Sequence, residues 1–83
     1  MKASKKHIEH LSQQLQLFIY RLSQLEYQSL KRSYKDEPIK TMWNMYWKCF
    51  DAEPEFWRNE TKKWKDDHIE TMIKRAVKLT VLH

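Results

Sequence analysis

Apolar residues recur along this chain at spacings of three and four. Ile39, Met42, Trp43, Tyr46, Trp47 and Phe50 fall at i, i+3, i+4, i+7, i+8 and i+11, one face of an α-helix. Upstream, Ile8, Leu11, Leu15, Phe18, Leu22 and Leu25 alternate in the same way for almost three heptads, and the register ends at Ser29 and Arg32. Downstream, Trp57, Thr61, Trp64 and His68 run into Ile69, Met72, Ile73, Ala76, Val77 and Thr80, with Val81 and Leu82 extending the stripe. The pattern predicts three helices, over about 4–35, 38–50 and 54–81, in one helical domain spanning 1–83. The first would be ~48 Å long and the second only ~20 Å. A short aromatic-rich central helix between two long ones leaves surface for a second copy or a partner to cover.

The links have a chemical logic. Pro38 and Pro54 suit the first turn of a helix and push the preceding residue out of helical conformation. Lys31, Arg32 and Lys35 close the first helix, and Asp36 and Glu37 open the second, each set complementing a helix dipole. Asp51, Glu53 and Glu55 repeat this before the third helix, and Lys74, Arg75 and Lys78 sit near its end. Ser4 is positioned to cap the first helix. Fraying is expected over 80–83.

The aromatic stretch is the expected core, because aromatic side chains bury the most area. Trp47 is expected to be buried in it. The first helix carries a second line, Tyr20, Tyr27 and Tyr34, joined by Leu17 and Leu30 and lying roughly opposite the leucine seam. Either the rings cover a solvated face, or this helix is packed from two sides. We adopt the second reading, with the leucine seam as core and Tyr20, Tyr27, Leu30 and Tyr34 as the contact with a protein partner or a homodimer mate.

Composition narrows the class. Glycine is absent and asparagine appears only twice, so hairpin turns that need positive φ have few hosts and an all-α fold is expected. One cysteine, Cys49, rules out an intramolecular disulfide and suits a reducing, cytoplasmic setting. No apolar run reaches membrane-spanning length, and the basic N-terminus is not followed by the features of a secretory signal.

The net charge of +5 is uneven: +5 over residues 1–35, −3 over 36–55 and +3 over 56–83. Lys2, Lys5 and Lys6, with Arg58, Lys62, Lys63 and Lys65 around Trp64, supply what phosphate contact and base stacking need. Glu60, Asp66 and Asp67 dilute that set, and tryptophans seven residues apart on one stripe are expected in the core. A helix-turn-helix reading of the second and third helices is disfavoured by the missing turn glycine and by Glu53 and Glu55.

Candidate chemistry is sparse. His7 and His10 at i, i+3 can reach one metal ion, but structural zinc takes four ligands, so a solvated first turn is expected and no metal. Cys49 beside Phe50 is expected as a small apolar filler, not a nucleophile. Asp66, Asp67 and His68 diverge by about 100° per residue and cannot converge on one substrate. No cofactor, small-molecule substrate or membrane partner is expected. Ile19–Tyr20–Arg21 resembles the motif of the LYR-motif mitochondrial proteins, with Ile in place of Leu; the likeness covers these three residues and carries no function across.

The sequence therefore describes a small non-enzymatic binding protein, acting by protein–protein contact as an adaptor, inhibitor or assembly subunit. The alternative is a basic nucleic-acid-binding or ribonucleoprotein-associated regulator, through Lys5, Lys6, Arg58, Lys62, Lys63 and Lys65.

Overall fold

A computed structural model describes residues 5–82. It contains α1 (Lys5–Tyr20), α2 (Gln24–Asp36), α3 (Pro38–Phe50), α4 (Glu55–Thr61) and α5 (Asp66–Val77), and no strand among the described residues. None of these helices is long and apolar enough to cross a membrane. The expected Ser4 cap, and His83, lie outside the described residues.

Five helices replace the three that the hydrophobic pattern predicts. The longest dimension of the molecule is 36 Å, too short for a continuous helix of ~48 Å. The first break has a clear cause. Arg21 and Leu22 close α1 with amide bonds to the carbonyls of Leu17 and Ile19 at 3.1 Å each. Ser23 then turns extended and starts α2 with a capping box: its Oγ accepts from the Glu26 amide at 3.2 Å, and Glu26 Oε1 accepts from its amide at 3.0 Å.

That break resolves the two opposed stripes. A helix running straight on would carry Leu25 inward with Leu15, Phe18 and Leu22. Instead Leu25 is 83% exposed, while Tyr27, Leu30 and Tyr34 turn onto the core. One predicted helix becomes two, and each turns its own apolar residues onto the core. The two-sided reading of a single first helix is corrected accordingly.

The second break falls at Lys62–Lys65. Lys62, Lys63 and Trp64 finish α4 with short-range amide bonds, Lys65 is extended, and Asp66 and Asp67 fill the first turn of α5. Glu37, conformationally restricted by Pro38, both ends α2 and precedes α3: its amide bonds to Ser33 at 2.8 Å and its carbonyl accepts from Thr41 at 3.0 Å.

The core joins α1, α3 and α5, with α2 packed on α3. Leu11, Leu15 and Ile19 meet Met42, Met45, Tyr46 and Cys49, and Ile69, Met72, Ile73, Ala76 and Val77 complete the cluster. Each aliphatic side chain fully buried this way is worth about 1.5–3 kcal/mol. Tyr46 is the largest fully buried residue, whereas Trp47 is 55% exposed. The expectation of Trp47 in the core fails because the buried arc of α3 centres on its slimmer sulfur-bearing residues, which fit irregular gaps between helices. Trp43 and Phe50 flank that arc, half-buried; Trp43 stacks with Trp47 at 6.1 Å between centroids, and Phe50 meets it edge-on at 5.3 Å. At the C-terminus Thr80 and Leu82 are buried instead of frayed, with the Leu82 amide donating to Thr80 Oγ1 at 3.2 Å.

Candidate functional site

The residues singled out in the sequence separate into an apolar face, a basic end and a buried polar cluster. Of the four expected contact residues, Tyr20 is exposed, and Gln16 Nε2 donates to its hydroxyl at 3.0 Å. Tyr27, Leu30 and Tyr34 are half-buried against the core, and the Lys31 ammonium stands 5.5 Å from the Tyr27 ring centre. Tyr20 and Tyr27 still share one groove, with Ile19, Leu22 and Val81. Leu30 lines a different one beside Phe18, Met45 and Lys48.

Hydrophobic spacing placed Leu17 with Tyr20, but it did not reveal that Leu79 and Val81 join them. Leu17, one turn earlier on α1, lines a second groove with Leu79. Leu17, Tyr20, Leu79 and Val81 are all exposed. Helix α1 and the segment after α5 thus present apolar side chains on one face because α1 and α5 pack together. Leu17, Tyr20 and Leu79 lie off the buried stripes of their own segments, whereas Val81 is expected on its stripe and is found exposed.

The six basic residues do not act alike. Lys5, Lys6, Lys62, Lys63 and Lys65 are exposed. Arg58 is half-buried, its Nη1 donating to the carbonyls of Asp51 at 3.1 Å and Glu53 at 2.9 Å, so it clamps the α3–α4 link. The two lysine-bearing segments are joined through one contact. His7, next to Lys6, stacks on Trp57 at 4.4 Å and 15° between planes and meets Trp64 at 5.3 Å.

That contact corrects the expectation of a solvated first turn. His7 is 1% exposed and Glu53, on the α3–α4 link, is 3% exposed. Glu53 Oε2 lies 3.7 Å from His7 Nε2 and 3.3 Å from His10 Nε2. Among the described residues neither carboxyl oxygen of Glu53 has a hydrogen-bond partner. Burial pushes this carboxyl up to about 7. Burial, and then the charge of His10, pulls the His7 imidazole down to about 4. Both groups therefore favour their uncharged forms.

Tyr46 and Cys49 complete the surroundings. Burial raises the Tyr46 hydroxyl to about 12, against a hydrogen bond with the Thr61 side chain and with a smaller push from the Glu53 charge. Burial, helped by that charge, raises the Cys49 thiol to about 11. A thiol held in this way is protonated and poorly nucleophilic. Asp66 and Asp67 face solvent on the first turn of α5, and the His68 ring packs edge-on to Trp64 at 4.8 Å. No three His, Cys, Asp or Glu side chains among the described residues are placed to hold a metal ion.

No protein-family model matches the chain, and no curated protein or solved structure matches it either.

Proposed function

We propose that this chain is a small non-enzymatic binding module, an adaptor, inhibitor or assembly subunit that works by protein–protein contact in the cytoplasm. The observation that supports it is the exposed apolar set Leu17, Tyr20, Leu79 and Val81, drawn from two segments onto one face. Contiguous apolar surface of this kind marks interaction sites, and tyrosine suits it, with an apolar body and a hydroxyl that tolerates water. The partner is another protein or a second copy of the chain.

Capture from a nuclease-treated extract of the native host tests this reading. A protein partner bound by wild type, lost on Tyr20→Glu and kept by Leu25→Glu supports it. Loss of all capture on nuclease treatment contradicts it.

A second reading, a nucleic-acid-binding or ribonucleoprotein-associated role, is supported by the exposure of Lys5, Lys6, Lys62, Lys63 and Lys65 and by the contact of His7, beside Lys6, with Trp64, between Lys63 and Lys65. It uses phosphate contacts that carry no base sequence. Arg58 is set apart from the lysines by the two link carbonyls that its Nη1 addresses.

A further inference from the structure

The cluster around Glu53 is separate from both surfaces just described. An acid and a base share one buried site, and desolvation acts on them with opposite sign: it favours the protonated carboxyl and the unprotonated imidazole. We propose that His7 and Glu53 form a proton-compensating pair: as α1 docks on the α3–α4 link, the proton that His7 releases is offset by one that Glu53 takes up, so the pair damps the pH dependence of docking through the mildly acidic range.

The groups facing this pair from each neighbouring element are few. On α1 there is His10, partly open to solvent and 3.3 Å from Glu53 Oε2. On α3 there are Tyr46 and Cys49, both held protonated well above this range. On α4 Arg58 addresses the Glu53 carbonyl, not the carboxyl, and Trp57 stacks on His7. Trp64 precedes α5, and behind it stands His68.

Glu53, raised from 4.5 to about 7, contributes stability that is fully present below pH 4.5 and lost as pH rises through about 7. His7, lowered from 6.5 to about 4, contributes stability that is present above pH 6.5 and lost as pH falls through about 4. The imidazole is pulled down and the carboxyl pushed up, so the two contributions oppose each other. Between about pH 4.5 and 6.5 the undocked chain carries the proton on His7 as imidazolium, with Glu53 ionised. The docked chain carries it on Glu53, with His7 neutral. One N–H bond is exchanged for one O–H bond, and the proton count is the same on both sides.

Each half of the pair is exposed by removing the other. With Glu53→Gln the Glu53 contribution is lost, and the unfolding constant relative to wild type should rise about tenfold per pH unit on acidification from about 7 to 4.5. The total approaches roughly 300-fold by pH 4.5. With His7→Phe, which keeps a ring on Trp57, the same relative rise should appear in the opposite direction, from about pH 4 up to 6.5. Opposite slopes support the pair; profiles parallel to wild type overturn it. Proton and carbon NMR titration of the wild-type side chains covers the case in which either variant fails to fold. A His7 imidazole titrating below pH 5 with a Glu53 carboxyl titrating above pH 6 supports the proposal. Ordinary values for the two groups overturn it.

Discussion

Leu25 and Tyr27, two residues apart at the start of α2, face opposite ways: Leu25 stands 83% exposed and Tyr27 packs on the core. The Ser23–Glu26 capping box that precedes them sets this orientation. Ser23→Ala is expected to cost about 1 kcal/mol, within the ~0.5–2 kcal/mol range of lost N-caps, measured by urea unfolding. Leu25→Glu, by contrast, should change stability by no more than about 0.5 kcal/mol.

On α3 the adjacent residues Tyr46 and Trp47 should differ sharply. Tyr46→Ala empties a fully buried site and is expected to cost about 3–5 kcal/mol. Trp47→Ala removes an exposed ring whose contacts with Trp43 and Phe50 are worth about 1 kcal/mol. Urea midpoints at constant m-value distinguish the two.

All-helical character was legible from the three- and four-residue spacing and the missing glycine. The two interruptions were not read, for different reasons. Ser23 and Glu26 spell a capping-box signature, but the apolar pattern runs straight across it, and spacing alone predicts one helix. Lys62–Lys65 has no side-chain cap to read; the turn coincides with Trp64 packing toward His7. Tyr27, Leu30 and Tyr34 were legible as a face, but not as a face turned inward. The Glu53 cluster was illegible because His7 and Glu53 meet only through tertiary packing of α1 on the α3–α4 link.

Arg58 is expected to behave as a structural residue. Arg58→Gln removes two bonds from a charged donor to link carbonyls and should lower stability by about 1.5–3 kcal/mol. Lys62→Gln and Lys63→Gln, both exposed, should stay within about 0.5 kcal/mol of wild type. If the basic end does bind nucleic acid, the lysine variants should weaken binding uniformly across sequences and flatten its salt dependence. An oligonucleotide titration at several salt concentrations reads both effects.

Cys49 should be protected in the folded chain. It is buried, with its thiol raised to about 11, so alkylation at pH 8 should proceed at the rate of unfolding and accelerate with urea. Labelling as fast as a free thiol in native buffer would show that α3 does not pack as described.

Site-specific photocrosslinking tests the proposed contact face most directly. A benzophenone amino acid placed at Tyr20, at Leu79 and at Leu25 reports what touches each position in a nuclease-treated extract of the native host. The account predicts a light-dependent protein adduct, or a dimer of the chain, from positions 20 and 79 and none from position 25. An adduct from position 25 alone, or none from positions 20 and 79, would contradict it.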